Sequence, residues 1–469
     1  MKISDRLDFV RLSEKAGLDI LQPPHLVERG FCIFAASRRR DFIQHGARLW
    51  VEASLKRLRD VPYRMPAITE PITEPLLRSR SGALIGALAF ATLATGLLQI
   101  CLPLELHQLR ATPNEIGLTL SMYGFGMLAF EWIWGILADR VGYRVPLIAS
   151  QLLYAGCIVV LARVDSIFLI AIGYLVASGM MVAVGPIARS YVGTALHSRL
   201  RATGLALLSA QWVISEALGA GAGGVLIDRF PIRSVMLAGA ILPVVAALLV
   251  ILVFKGYARV EHGDQWTADD QARMDESRAG GGVVRVLAVT ATMVLLVQVG
   301  AGGELALLPL LVTTHLQLSA ASAGTAMLAV GLIGGVLLVP GGNASDRWGR
   351  KPTMIAGGIV SAIGFAVYAT SGTFAQVIVG AALRAGGAAL IWPAATAWIA
   401  ESMPRRRHAF YMGLFGEFEN VGITIGPILG GLVWSLAGIQ AAFYAYAVAA
   451  LLAALVAAVM VERRPSLRS

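Results

Sequence analysis

Charged side chains are scarce in this chain. They make up 14% of its 469 residues, against roughly a quarter in a soluble domain. Most of the chain therefore cannot be solvated, which excludes an ordinary soluble globular protein. Cysteine is scarcer still. Cys32, Cys101 and Cys157 are the three present, and none stands at a metal-ligand or redox spacing. No disulfide framework follows, and the two in apolar runs read as small buried hydrophobes. The seven histidines, at 25, 45, 107, 197, 262, 315 and 408, all avoid the centres of apolar runs. Without clustered His, Asp or Ser there, neither a metal centre nor a catalytic triad is expected, and an embedded enzyme is disfavoured. No cofactor and no metal are expected.

What the chain has instead is apolar sequence in long runs. Hydrophobic residues are 57% of it, with 51 glycines. From residue 82 onward, runs of about 20 residues recur, the length that crosses a bilayer as helix. Twelve can be placed: 82–106, 113–138, 145–163, 166–194, 203–227, 231–254, 285–311, 320–341, 352–371, 374–400, 409–435 and 438–461. The expected fold is an all-α membrane protein of two six-helix bundles, 82–254 and 285–461. A polar linker, 255–284, joins them, and a short tail, 462–469, follows.

Residues 1–81 are a polar, Arg-rich extension with no spanning run and no signal-peptide pattern. Within it, Ile43, Ala47, Trp50, Val51 and Leu58 share one helical face. Asp41, His45, Arg48, Glu52, Lys56 and Arg59 share the other. An amphipathic helix over about 41–59 is expected, suited to an anionic membrane surface. Four prolines make 62–75 a linker, and Met65 is an alternative start. The net charge of +10 reflects membrane topology rather than nucleic-acid binding. With both termini inside, the short inner loops and the C-terminal tail carry 13 Lys and Arg and the outer loops four. That bias predicts a multi-pass protein of the cell membrane with both ends in the cytoplasm.

The two halves repeat. Gly135, Asp139, Arg140, Gly142 and Arg144 follow span 2, and Gly342, Asp346, Arg347, Gly349 and Lys351 follow span 8, with Arg350 beside them. The offset is 207 residues in every case. Gly117, Gly179, Pro186, Gly219, Gly223 and Gly224 recur at that offset as Gly324, Gly386, Pro393, Gly426, Gly430 and Gly431. A register held across four pairs of elements implies two parallel bundles related by an axis along the membrane normal. In each hinge, the first Gly should allow close backbone approach. The second should allow a tight turn. The Asp can accept hydrogen bonds from a helix N-terminus.

The chain is thereby identified as resembling the major facilitator superfamily of secondary transporters, over residues 82–461. The resemblance implies a cavity between the bundles, open to one side at a time. It places Asp139 near the start of span 11 and Asp346 near the start of span 5, as a cytoplasmic latch of the outward-open state. Gly422-x-x-x-Gly426-Pro427-x-x-Gly430-Gly431 in span 11 looks like the family's antiporter motif. That motif normally lies in span 5, where Gly219, Gly223 and Gly224 stand here without the Pro. At the position of the Arg that drug antiporters carry in span 4, this chain has Leu175. The sugar-transporter pattern after Glu401 ends on His408 instead of Arg.

Ionisable residues inside spans are costly and suggest function. Glu131, Arg189, Glu216, Glu304, Arg384, Glu417 and Glu419 are the candidates, with Gln211 and Trp212 beside Glu216. Some are expected to pair as Glu–Arg across the cavity, Glu131 with Arg189 being a possible structural pair. Burial disfavours the charged carboxylate, which suits proton carriage, and Glu216 is the first choice by depth. Glu304 could instead reach outer water. The expected activity is proton-coupled efflux of an amphiphilic or hydrophobic compound by a monomer in the bilayer. The alternatives are a proton-coupled importer of a sugar or other solute, and a transporter-like sensor.

Overall fold

The computed structural model describes residues 80–195, 198–254, 280–402 and 408–459. The expected amphipathic helix, the proline linker, most of 255–284 and the tail lie outside the described residues. Among the described residues, twelve helical stretches are long and apolar enough to cross a membrane. In chain order the helices of spans 1 to 3 are Arg80–Gln108, Pro113–Val141 and Arg144–Leu161. Span 4 is Ile167–Met181 with Val184–Ala195, span 5 is Ser198–Ile227, and span 6 is Ile232–Gly239 with Ile241–Val253. Spans 7 to 12 are Gly280–Leu310, Ala320–Trp348, Arg350–Ala369, Phe374–Ser402, His408–Ala437 and Ile439–Ala458. Span 7 closes with a π turn, Leu311–His315. Outward faces carry large apolar side chains, Leu436 being 78% exposed. Such faces are tolerable in lipid and not in water.

The boundaries differ from expectation where helices run on. Span 7 begins at Gly280, so the end of the expected linker is helix. The hinges shrink in the same way. Gly135, Asp139 and Arg140 still belong to span 2, and Gly342, Asp346 and Arg347 to span 8. The break is one residue, Gly142 at φ 83 and Gly349 at φ 94. An L side chain at positive φ costs roughly 1–2 kcal/mol, which is why glycine sits at both breaks. Arg144 then opens span 3, while Arg350 and Lys351 open span 9. The repeat reaches into the loops at the other end of the bundles. The non-glycine residues with positive φ among those described are Arg110 and Gln317, one in each half at the same offset of 207.

Two seams join the halves: span 2 against span 11, and span 5 against span 8. Gly117 meets Pro427 and Gly431, and seven residues on, Gly124 meets Thr424. In the other seam Gly324 meets Gly224, and Gly331 meets Ala217. Each contact in one seam is the repeat image of a contact in the other, so one antiparallel register governs both. The approach is close from the end away from the hinges to mid-span, where a Cβ on Gly124 would lie 2.7 Å from the Thr424 nitrogen. A Cβ built on Gly117 would lie 2.4 Å from the Pro427 carbonyl oxygen, and one on Gly224 2.4 Å from that of Ala320. Toward the hinges the seams slacken: Gly335 would meet only Ile214, at 3.6 Å, and Gly135 nothing within 4 Å. Close approach is thus a property of the far-end and mid-span glycines. The expectation of it at Gly135 and Gly342 is corrected, since a Cβ on Gly342 would touch only Pro393, at 3.7 Å.

Candidate functional site

The polar residues of the spans gather in three places. The first lies in the first half, on the face toward the second. Gln99 of span 1 donates from Nε2 to Oε1 of Glu216 in span 5, at 2.5 Å. Trp212, one turn earlier, faces the same carboxylate. Gln211 donates to Thr92 Oγ1 at 2.7 Å, tying the same two helices together. Gly219 and Gly223 make this proximity possible, because they bring span 5 onto the backbone and side chains of Leu93, Leu97 and Ile100. Above Gln99, Tyr123 and Tyr174 stack with centroids 5.8 Å apart and planes 25° from parallel. With Gln99, Ile423 and Pro427 they line a void of about 20 Å³ between the halves, enough for a water-sized group.

The second cluster lies nearer the hinge end and involves both halves. Arg189 of span 4 pairs with Glu131 of span 2 at 3.0 Å. Asn420 of span 11 donates to the other oxygen of Glu131, also at 3.0 Å. Beside it, Gln298 of span 7 donates to Glu419 at 2.9 Å. Glu417 is half-buried and has Glu131 and Asn420 as electrostatic neighbours. The pairing of Glu131 with Arg189 is as expected, but it closes within one half. Asn420 makes the side-chain hydrogen bond from it to the second half.

The third cluster is internal to the second half. Glu304 of span 7 forms an ion pair with Arg384 of span 10 and accepts a hydrogen bond from Tyr368 of span 9 at 2.8 Å. Glu304 is 2% exposed, so the expected access to outer water is corrected. Arg384 is likewise spent on Glu304 rather than reaching across the cavity.

The glycines of span 11 serve three neighbours. Gly422 and Gly426 lie on the span 7 backbone at Leu295 and Val299, Gly430 on Tyr446 of span 12, and Gly431 on Pro113 of span 2. Pro427 stands inside the helix, where it removes one backbone hydrogen bond. This is close packing against three neighbouring helices.

At the hinge end, Asp139 is exposed. Asp346 accepts from Arg350 at 2.5 Å, and the same guanidinium reaches Glu401 at 2.6 Å. The side chains at the starts of spans 5 and 11, the expected latch partners, lie outside the described residues. Continuing the seam register brings Asp139 level with residue 409 and Asp346 level with residue 202. An anion-to-helix-start contact of the kind expected of the hinge is found at the far end. Asp228, at the end of span 5, accepts from the backbone N–H of Ala320 at 2.9 Å and of Ala321 at 3.2 Å. These are the first amides of span 8, where the helix dipole favours an anion.

Sequence reasoning missed Gln99, Gln298, Tyr368 and Asp228. The amides had a signal, since a lone glutamine in an apolar run must find a partner as a carboxylate must. Asp228 had none, because it sits at a span end where charge is ordinary. Among the described residues, no three His, Cys, Asp or Glu side chains are grouped to hold a metal ion.

The model of the Major Facilitator Superfamily matches residues 84–300 and 290–469. The chain is 35% identical over 121 residues to an uncharacterised MFS-type transporter of Mycobacterium tuberculosis, covering 24% of this chain and 28% of that protein. It thus spans under a third of the length of that relative. It is 23% identical over 352 residues to the class C tetracycline resistance protein of Escherichia coli, covering 74% of this chain and 87% of that one. Among solved structures, a bacterial Spinster homologue in an inward-facing, unoccupied conformation gives a TM-score of 0.69 at 11% identity, over 83% of this chain and 97% of that chain. A D323A mutant of the nucleoside transporter NupG gives 0.67 at 16%, over 81% and 99%. At these identities the structures speak to the fold alone.

Proposed function

The chain belongs to the Major Facilitator Superfamily, a family of transporters rather than enzymes, and on that premise we propose proton-driven efflux of a small amphiphilic or hydrophobic solute. The observation that carries the coupling is Glu216. It is a carboxylate within a span, and its hydrogen-bond partners, the Gln99 amide and the Trp212 indole, are neutral. An ionised carboxylate left in that setting is expensive, so its charge must be met by a proton or by cargo. Alternating occupancy of one carboxylate by the two is a direct route to exchange. The hinge end is read as cytoplasmic, following the Lys and Arg bias, and the sealed far end as external. The described state is then open toward the cytoplasm. Seam glycines and Asp228 hold it shut outside, and Asp139 and Asp346 are the latch of the opposite state. The protein acts as a monomer in the cell membrane, with substrate and protons as its partners. The resistance protein among the relatives supports export over the importing alternative.

The test is proton movement in energised everted vesicles to which candidate solutes are added from outside. Export by antiport requires proton release from the vesicle lumen on adding substrate, and loss of that signal in Glu216→Gln. Substrate accumulation that is unchanged when the proton gradient is collapsed would remove the coupling.

A further inference from the structure

We infer that Gln99 and Glu216, with the stacked Tyr123 and Tyr174, form the head-group site for a protonated amine bearing at least two N–H donors. This deepens the efflux reading and rests on it for the site's role in transport.

The inference comes from an imbalance of donors and acceptors. A carboxylate only accepts, so the Gln99 carboxamide must turn its Nε2 toward Glu216. That leaves Gln99 Oε1 without a share in the contact. It is buried without a hydrogen-bond partner, in a residue 4% exposed that lines the void between the halves. A buried acceptor left unmade is costly and calls for a donor. The groups around Glu216 supply neutral donors only. Beside Gln99 the indole of Trp212 hydrogen-bonds the carboxylate, and the titratable neighbours of Glu216 are the phenols of Tyr123, Tyr154 and Tyr174, from spans 2, 3 and 4. From span 8 it is flanked by Gly331 and Leu328, the neighbours of Ala217 and Gly221. Among the described residues no Lys or Arg pairs with Glu216, whereas Glu131 and Glu304 each have an arginine.

The donors of the site are thus neutral phenol and indole groups, Gln99 Oε1 has none of them, and positive charge is missing. An ammonium group supplies the charge and the missing donor: one N–H to the carboxylate, another to Gln99 Oε1. Its size suits a void of about 20 Å³, and the faces of the stacked tyrosines favour a cation. Leu120, Ile423 and Pro427 complete the wall and suit an apolar or aromatic body. That body must extend toward the hinge end, because the far end is closed by contact of the seam glycines. A guanidinium exceeds the void, and a quaternary ammonium offers no N–H to Gln99.

The experiment uses full-length protein in lipid nanodiscs and three probes sharing one body. They are 2-(2-naphthyl)ethylamine, its N,N,N-trimethyl derivative and the corresponding alcohol, with binding read by calorimetry. The primary amine should bind about tenfold or more tighter than either analogue, as a site built for hydrogen bonding discriminates. Glu216→Gln should abolish amine binding, and Gln99→Leu should bring amine and trimethyl derivative to equal affinity. An alcohol that binds as well as the amine would overturn the proposal, as would full amine affinity in Glu216→Gln. Should either variant not fold, the ranking of the three probes on the unmodified protein decides alone. Failure of this site and of the efflux reading are separable. Proton-coupled export of the alcohol at the amine's rate defeats only the amine site. Selective amine binding without any transport defeats only the efflux reading.

Discussion

Gly117→Ala isolates the balance between the two states. The methyl carbon would be built 2.4 Å from the Pro427 carbonyl oxygen and 3.0 Å from the Gly431 Cα, against 3.4–4 Å for an ordinary contact. Both obstacles are backbone, so no side chain can rotate away. Spans 2 and 11 must part by about 1 Å at this point, and overpacking of this kind typically costs about 1–3 kcal/mol. The cost falls only on the state in which the far-end seam is closed. The ratio of the two states should therefore shift about 5–150-fold toward opening at the far end. Gly224→Ala does the same to the second seam, against the Ala320 carbonyl oxygen. The pair should be less than additive, because one parted seam relieves the other. Gly86→Ala is the control: nothing lies within 4 Å, and helix propensity favours the change. Spin labels at Gln108 and Leu436, on the far ends of the two halves, read the separation by double electron–electron resonance. A longer distance population should appear in each seam variant and not in Gly86→Ala. Unchanged distances in the double variant, with normal thermal stability, would show that these contacts do not hold the state.

Three further outcomes follow from other contacts. Glu304→Gln leaves Arg384 buried without its counter-charge and should cost roughly 3–5 kcal/mol, seen as a large fall in melting temperature. Glu304→Met with Arg384→Met should recover most of it, and a double variant as unstable as the single would refute the charge argument. Asp228→Asn keeps one acceptor for the span 8 amides but loses the charge at the helix start, worth about 0.3–1 kcal/mol; it should lengthen the same spin-label distance, less than Gly117→Ala does. Asp139→Asn should insert normally and slow turnover, checked by initial transport rate at matched surface expression; equal rates would dismiss the latch.

The fold was legible because its physics is one-dimensional. A bilayer requires about twenty apolar residues per crossing, and the 207-residue repeat ties the halves together before any contact is known. The repeat foretold more than the helices, since both seams use the same register and even the positive φ at Arg110 recurs at Gln317. Pairings inside the cavity were less legible. Sequence marks Glu131, Glu216, Glu304 and Glu419 all as costly and ranks Glu216 first by depth alone. Only three dimensions assign them an arginine, a glutamine, an arginine with a tyrosine, and a second glutamine. The state was not legible at all. Both hinges read as latches, and nothing in the residues foretold the seam contacts and the Asp228 contact at the opposite end.

That opposition has a consequence of its own. Asp139 stands 22 residues from Gly117 on one unbroken helix, about 33 Å at 1.5 Å per residue. A stiff rod that closes on span 11 at one end is levered from it at the other. Gly117→Ala weakens the state closed at the far end, and Asp139→Asn weakens the state closed at the hinge end. If turnover is limited by an unequal balance of the two, the defects should offset each other. The double variant should then transport faster than Asp139→Asn alone, with spin-label populations returned toward those of the unmodified protein. Two independent injuries would instead multiply. A double variant slower than either single would show that seam and latch are not opposite ends of one lever.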